Sequence, residues 1–436
     1  MSDYCLSELE IWNDRLKKLV DRAGLTCFEQ HFEICNYEEM LCYEAYAGMP
    51  SHYPHWSFGK AYERQRTFYQ YNLVGLPYEM VINSDPCLAY LMRDNSLVLQ
   101  ILTMAHVYGH NDFFKNNRLF RRDTRPELTV GMFKAHADQV RSYVYDPAIG
   151  PERVERVLNA AHALRFQTLR HGQVPAGRRQ PPNPAVTDEI PDRLRADLLG
   201  FLAEHGKLEE WERNLINIVR EETLYFIPQL ETKIMNEGWA SYWHYQLVNQ
   251  LELPAGMQIE FLQRHNLVVR PYEGRINPYF IGFRIFKYLA EQPGGPEKIK
   301  EVRREERDQS FLRRYLNQEL GEKLRLFSFR VRGLDVVVKE VADNDGWQAV
   351  RDNLVNNVGL GLVPLINILA AERGILRLEH IYDGRELELT PAKETIKHLS
   401  DLWGGRVEVK TRLNDKKVII SCDEDKTIAI VDDDPG

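Results

Sequence analysis

The sequence predicts an α+β protein, with a mostly α-helical region over residues 1–330 and a small α/β domain over residues 335–430. Three observations lead to this prediction. The chain has 436 residues, of which 44% are hydrophobic, and this is enough for more than one compact core. Apolar residues recur at helical spacing through most of the first region. In the second region they alternate with polar residues, as is typical of strands.

Composition and charge argue against several classes of protein. The formal net charge is −8, and the 56 basic and 64 acidic residues are spread along the chain, so we expect no nucleic-acid partner. No apolar run approaches the roughly 18 residues that a membrane span needs. The six cysteines form no C-x-x-C pair, and the N-terminal residues lack the apolar core of a signal peptide. We therefore expect a cytoplasmic protein with reduced thiols.

The clearest helix prediction follows Asn95, a candidate N-cap, in the stretch SLVLQILTMAHVYGHNDFFK. This stretch is apolar on nearly all faces, which is typical of a buried helix. Later helical patterns lie over residues 129–145, 150–170, 193–205 and 211–223. Pro228 is expected to open the next helix, because proline is tolerated in a first turn. That helix contains the decapeptide NEGWASYWHY, residues 236–245.

A proline-rich segment interrupts the helical region. Residues 171–192 read HGQVPAGRRQPPNPAVTDEIPD and contain few large apolar side chains. Such a segment cannot bury enough apolar surface to fold alone, so we expect an exposed loop.

The C-terminal domain is predicted to contain strands at VPLINILAA, ILRLEHIY and RELELT, followed by the helix AKETIKHLSDLW. The stretch RVEVKTRLNDKKVIISC predicts a hairpin that turns at Asn414 and Asp415. Residues 431–436 are expected to form an acidic tail. The domain carries no evident catalytic constellation, and we interpret it as a docking or regulatory module.

His106 and His110 are the first candidates for a functional site. They stand four residues apart in the predicted buried helix, so their rings project from one face about 6 Å apart. This spacing lets two imidazole nitrogens bind one Zn²⁺ ion. Buried, hydrogen-bonded histidines without a metal fit the same pattern. A shared metal would satisfy one nitrogen on each ring.

Glu237 is the candidate for a third ligand. Two-histidine sites commonly take a carboxylate from a second helix and leave one coordination position open for water. Glu237 lies in the middle of its predicted helix, beside Gly238 and near Ala240. These small residues would let another helix approach closely.

Three further residues are candidates for a catalytic role. His244 lies on the same helical face as Glu237 but about 10.5 Å along the axis, so a position behind the ligands or facing substrate is favoured over a shared metal. Glu155 could be a general base, or an exposed partner of a neighbouring arginine on a solvated helix face. His55, in the turn-rich segment SHYPHWSFGK, could lie at the rim of the site or pack among aromatic neighbours.

Two motifs resemble those of gluzincin zinc aminopeptidases. NEGWASYW resembles their NEG-F-A-S-Y-F pattern, in which the Glu is the third zinc ligand, and HVYGH resembles their H-E-x-x-H. The resemblance implies a zincin-like fold for the first region, with Zn²⁺ bound by His106, His110 and Glu237. The sequence departs from the pattern at Val107, which stands where these enzymes carry their general base. An aliphatic side chain cannot take a proton.

Longer motifs resemble the SpoVR family, the stage V sporulation protein R proteins, along nearly the whole chain. They are MPSHYPHWSFGKAYE, YEMVINSDPC, MAHVYGHNDFFKNN, ETKIMNEGWASYWHY, INPYFIGFRIF, LRLEHIYDGRELEL and DLWGGRVEV. The resemblance implies a cytoplasmic bacterial protein involved in sporulation, through formation of the spore cortex, or in stress physiology. It also implies protein partners, because the family is often encoded beside a serine kinase and a von Willebrand A-type protein.

Two functions are consistent with these residues. The first is a zinc-dependent hydrolase of amide or peptide bonds, in which an unidentified group replaces the base missing at Val107. The alternative is a non-catalytic metal-binding scaffold or regulator with a degenerate peptidase-like fold, acting through partner proteins. Val107 favours the alternative, whereas an open fourth coordination position favours the hydrolase. Core histidines without any metal remain a third interpretation.

Overall fold

The structure is a computed structural model that describes residues 4–70, 79–169, 195–272, 276–332, 335–343 and 346–433. The predicted loop at 171–192 lies outside these residues. The helices are α1 Leu6–Arg22, α2 Tyr37–Ala45, α3 Trp56–Gln70, α4 Leu97–Asn116, α5 Arg118–Asp123, α6 Thr129–Tyr145, α7 Gly150–Leu164, α8 Leu198–His205, α9 Glu210–Glu231, α10 Lys233–Asn249, α11 Ala255–Val268, α12 Pro278–Ala290, α13 Gly295–Glu305, α14 Asp308–Tyr315, α15 Gln318–Lys323, α16 Trp347–Asn356 and α17 Leu389–Trp403. The strands are β1 Gln30–Cys35, β2 Glu79–Ile82, β3 Cys87–Met92, β4 Phe327–Arg332, β5 Asp335–Val341, β6 Ile366–Glu372, β7 Ile375–His380, β8 Arg406–Leu413, β9 Lys416–Cys422 and β10 Ile428–Asp432. The predicted α+β class is confirmed.

The chain divides into two compact units, one of residues 1–135 and 227–362 and the other of residues 136–226 and 363–436. This grouping differs from the sequence-based division near residue 335. The reason is that α7 buries an apolar stripe that includes Val154 and Val157 and packs against α17 of the C-terminal region. The middle helices therefore belong with the C-terminal sheet.

The first unit is built around α10, which packs against α4 and against α12. Small residues allow both contacts. A Cβ atom added to Gly109 of α4 would lie 2.6 Å from the Cα atom of Ala240, and one added to Gly238 would lie 2.3 Å from the Cα atom of Gly282 on α12. The expectation that Gly238 and Ala240 let other helices approach closely is confirmed.

A small sheet covers α4, in the order β1-β3-β2, with β1 parallel and β2 antiparallel to β3. The sequence pattern predicts helices in this part of the chain and does not predict the sheet. Two other details also differ. Ser96 rather than Asn95 caps α4, because the Ser96 side chain accepts a hydrogen bond from the Leu99 backbone N–H. Pro228 lies inside α9, and the next helix begins only at Lys233.

The C-terminal region forms a five-stranded sheet in the order β10-β9-β8-β7-β6. The predicted hairpin over Asn414 and Asp415 is confirmed, since these residues adopt φ values of 50° and 62° between β8 and β9. The predicted strand RELELT is wrong. β7 and β8 are parallel, and such strands need a crossover connection, so this stretch leads into α17. Val431, assigned to the acidic tail, pairs with Ile419 as part of β10.

None of the described helices is both long and apolar enough to cross a membrane.

Candidate metal centre

Helices α4 and α10 bring His106, His110 and Glu237 together. The two histidines are one turn apart on α4, and the Nε2 atom of each lies 3.5 Å from Oε2 of Glu237. Two ligands on a tetrahedral ion, each about 2.0–2.1 Å from it, are separated by about 3.4 Å. The separations between the Glu237 oxygen and each histidine nitrogen therefore match those of ligands on a shared zinc ion.

Two atoms at this centre are buried without a hydrogen-bond partner among the described residues. They are Nε2 of His106 and Oε2 of Glu237. A contact of 3.5 Å is too long to count as a good hydrogen bond, and a buried unpaired polar atom costs free energy. A divalent cation would satisfy both atoms at once, so the residues fit the metal that the gluzincin resemblance implies.

Neighbouring side chains orient two of the candidate ligands, Glu237 and His110. Lys233 donates to Oε1 of Glu237 at 2.7 Å, which leaves Oε2 facing the histidines. Nδ1 of His110 lies 2.8 Å from the side-chain oxygen of Asn236, so this nitrogen carries the proton and Nε2 presents a lone pair. Such partners are typical of metal-binding histidines.

Burial and local charge set the protonation states of the ligands. Burial alone would raise the pKa of Glu237, but the Lys233 ammonium and the two imidazoles hold it far below its usual range. Burial, with His106 nearby, lowers the pKa of His110 to about 4. At neutral pH the centre therefore holds a carboxylate and a neutral imidazole, the forms that bind metals.

Glu79 is a further candidate for a functional residue, and the sequence does not predict it. Its carboxylate and one ring nitrogen each of His106 and His110 lie within 4.8 Å of one another, and Oε1 of Glu79 is 4.0 Å from Nε2 of His106. Burial raises the pKa of Glu79. The side chain is 17% exposed, against 4% for His106, so Glu79 lies on the more open side of the centre. The only sequence signal was a Glu that opens an apolar run in YEMVI.

Tyr279, the second residue of α12, was also missed. Its ring stacks on that of His106, with centroids 6.0 Å apart. Burial, followed by the nearby carboxylates of Glu237 and Glu79, raises the pKa of Tyr279 well above its usual value. Its hydroxyl therefore remains a hydrogen-bond donor beside the centre.

The histidine candidate on α10 lies behind the ligands. Nδ1 of His244 is 2.9 Å from Nδ1 of His106, and Nε2 of His244 is 2.7 Å from Nδ1 of His265 on α11. Burial and the neighbouring imidazoles lower the pKa of His244 well below its usual value. His265 had no sequence signal, because it reaches the centre only through the packing of α11.

The other catalytic candidates contact residues other than the three proposed ligands. Nδ1 of His55 lies 2.6 Å from the Ser57 hydroxyl at the start of α3, and its ring contacts Trp56. Glu155 is exposed on α7, in the unit that does not contain the histidine ligands. Val107 is completely buried on α4 between the two histidines.

Comparisons with known proteins cover nearly the whole chain. The model of the SpoVR like protein family matches residues 3–183 and 171–363, and that of the SpoVR-like C-terminal domain matches residues 367–414. The chain is also 29% identical over 484 aligned residues to the uncharacterized protein YcgB of Escherichia coli (strain K12), with 95% of this chain and 94% of that protein covered. No solved structure matches it. The chain belongs to the SpoVR family.

Proposed function

We propose that this protein binds Zn²⁺ through His106, His110 and Glu237 and hydrolyses an amide or peptide bond. The observation that carries the proposal is the pair of buried, unpaired atoms, Nε2 of His106 and Oε2 of Glu237, which face each other at 3.5 Å. A cation between them removes the cost of leaving both unpaired.

Glu79 is the proposed general base in place of the residue missing at Val107. A zinc ion, when bound, polarises a carbonyl and lowers the pKa of a water molecule to about 7. Glu79 lies beside the ligands on their more open side, and burial raises its pKa from that of an ordinary carboxyl. A base whose pKa moves toward neutrality is better matched to accepting a proton from water.

Tyr279 completes the proposed set of groups. A phenol with a raised pKa keeps its proton near neutral pH, so it can donate a hydrogen bond to the oxygen of a polarised carbonyl. Glu237 and Glu79 are both among the groups that raise the pKa of Tyr279, so the phenol lies near the proposed ligand and the proposed base.

Metal analysis is the direct test of the zinc site. Elemental analysis of protein prepared without a histidine tag should find about one zinc per chain. The double variant His106→Ala, His110→Ala should contain none. The proposal would be contradicted if wild-type protein took up no metal even when dialysed against Zn²⁺.

Hydrolysis is tested separately with a library of fluorogenic peptides. Wild-type protein loaded with zinc should cleave a subset of them, and Glu79→Gln should lose this activity by about 10²–10⁴-fold while keeping its zinc. Glu155→Gln, an exposed change on α7, is the control and should cleave normally.

A non-catalytic metal-binding scaffold is the second candidate function, and Val107 favours it. If zinc binds but neither wild-type protein nor Glu79→Gln cleaves any peptide, the scaffold replaces the hydrolase. The family resemblance adds to either version a cytoplasmic location, a role in sporulation or stress physiology, and protein partners. Affinity capture from the native host should then retain the same partners with wild-type protein and with Glu79→Gln.

A further inference from the structure

A chain of three buried histidines leads away from the candidate metal centre. Nδ1 of His106 contacts Nδ1 of His244 at 2.9 Å, and Nε2 of His244 contacts Nδ1 of His265 at 2.7 Å. The three side chains come from α4, α10 and α11. His244 is fully buried and His265 is 3% exposed. Aromatic rings hold His265 in place, with Tyr245 at 4.7 Å and Phe283 at 5.0 Å between centroids.

The chemistry of neutral imidazole restricts how protons can be arranged along this chain. Each ring carries one N–H and one lone pair, and each nitrogen–nitrogen contact needs one of each. Three neutral rings with two contacts therefore allow two ordered arrangements. In the outward arrangement, His106 carries its proton on Nδ1, and His244 and His265 carry theirs on Nε2. In the inward arrangement, His106 carries its proton on Nε2, and His244 and His265 carry theirs on Nδ1.

Only the outward arrangement suits a metal at Nε2 of His106. This nitrogen must present a lone pair to a cation, so the proton stands on Nδ1 and is donated to His244. His244 must then accept at Nδ1 and donate from Nε2. His265 must accept that proton at its own Nδ1. In the inward arrangement, Nε2 of His106 carries a proton and cannot bind a metal.

We propose that His244 and His265 are positioning residues that hold His106 in the metal-binding tautomer, so that binding of Zn²⁺ selects the outward arrangement of the whole chain. The inference rests on the proposed metal site and adds His265, two rings away from the metal. His265 acts as the acceptor that keeps the His244 proton on Nε2. Without this acceptor, the buried N–H at Nε2 of His244 is unpaired, so His244 is stabilised by moving its proton to Nδ1. That proton then faces Nδ1 of His106 and disfavours the metal-binding tautomer of His106.

Two substitutions at His265 separate this role from packing. His265→Leu removes the acceptor and leaves an apolar side chain among the aromatic rings, and it should weaken zinc affinity by about 10-fold or more. His265→Gln offers a side-chain oxygen to the same N–H and should keep zinc affinity within about 3-fold of wild type. This change is smaller than the about 10–100-fold loss expected when a hydrogen-bond partner of a metal ligand is removed. His380→Leu, at a buried histidine that contacts Thr411 in the C-terminal sheet, is the matched control and should bind zinc normally. Zinc affinity is measured by competition with a chromophoric chelator.

Imidazole ¹⁵N NMR of the unaltered, zinc-loaded protein tests the arrangement directly, whatever the stability of the variants. It should find protons on Nδ1 of His106 and on Nε2 of His244 and His265. A proton on Nδ1 of His244, or equal zinc affinity in His265→Leu and wild type, would overturn the inference and leave the metal site standing. A wild-type protein that binds no zinc would overturn the site and the inference together.

Discussion

Gly238 and Gly282 place the backbones of α10 and α12 in direct contact, since a Cβ atom added to Gly238 would lie 2.3 Å from the Cα atom of Gly282. Both helices carry groups of the candidate metal centre: Glu237 precedes Gly238, and Tyr279 lies one turn before Gly282. The distance between the two helices therefore determines how close the tyrosine lies to the carboxylate.

Gly238→Ala is expected to force α10 and α12 apart, because the new methyl group meets backbone atoms that cannot move independently. Overpacking of this kind typically costs about 1–3 kcal/mol. The melting temperature should fall by several degrees, and zinc affinity should fall with it because Glu237 is displaced. Calorimetry and chelator competition measure the two effects.

Gly131→Ala is the matched control. Gly131 lies in α6, where an added Cβ atom has no heavy atom within 4 Å. Alanine is favoured over glycine in a helix by about 1 kcal/mol, so this variant should melt at or slightly above the wild-type temperature. If both variants melted at the wild-type temperature, the close contact at Gly238 would not limit the fold.

Loss of a residue that hydrogen-bonds a metal ligand, an outer partner, typically weakens metal binding by about 10–100-fold. Glu237→Gln is expected to weaken zinc binding by more than this, because a neutral amide is a poor zinc ligand. The substitution also removes the ion pair with Lys233. Lys233→Gln loses the same 2.7 Å contact and keeps the carboxylate, so it controls for that loss. Chelator competition should show a loss of no more than about 10–100-fold for Lys233→Gln, which loses an outer partner, and a clearly larger loss for Glu237→Gln. Equal affinity in both variants would contradict a ligand role for Glu237.

Local sequence information was sufficient for the two helices of the centre. The four-residue spacing of His106 and His110 fixes their common face, and NEGWASYWHY marks the helix that carries Glu237. The contact between the two helices depends on the close approach of Gly109 to Ala240. The sequence indicates this approach only because both residues are small. The hairpin at Asn414 was equally predictable, because its turn residues specify its conformation.

Long-range packing explains what the sequence could not predict. Glu79 reaches the centre because β2 pairs with β3 across a turn, and His265 reaches it because α11 packs beside α10. A Glu at the start of an apolar run is the only local sign of Glu79, and His265 has none. The grouping of α7 with the C-terminal sheet could not be predicted for the same reason. An apolar stripe shows that one face of a helix is covered, but it does not show which element covers it.

Asp308 caps the helix that carries Glu237. Its carboxyl oxygens accept hydrogen bonds from the backbone N–H groups of Ile234 and Met235 at 2.8 and 2.9 Å. Asp308→Ala leaves both buried N–H groups unpaired and should cost about 1–3 kcal/mol for each group. Zinc affinity should fall as well, because Glu237 lies in the first turns of α10.

Asp308→Asn separates the cap from its charge. Burial raises the pKa of Asp308 to about 8, outweighing the two backbone hydrogen bonds that lower it, so at pH 7 a neutral side chain is close to the native state. Asparagine keeps one acceptor oxygen, whereas its NH₂ group faces the second backbone N–H, so this variant should melt between the wild-type protein and the alanine variant. Equal melting temperatures for the two variants would show that the hydrogen bonds from α10 to Asp308 do not contribute to stability.

His136 makes stability depend on pH in the second unit. Burial alone would lower the pKa of His136, but hydrogen bonds with Glu221 and Glu222 outweigh it and raise the pKa to about 9. The folded state then binds the proton more tightly than the unfolded state, in which the pKa is about 6.5. This stabilisation is complete below about pH 6.5 and is lost as the pH rises through about 9.

His136→Gln is therefore expected to lower the melting temperature most at pH 6, with the difference from wild type shrinking toward zero near pH 9.5. Melting followed by calorimetry across that range measures it. His205→Gln, a half-exposed position on α8, is the control, and its melting temperature should run parallel to that of the wild type. A difference between wild type and His136→Gln that stays constant from pH 6 to 9.5 would mean that the two glutamates do not hold the proton on His136.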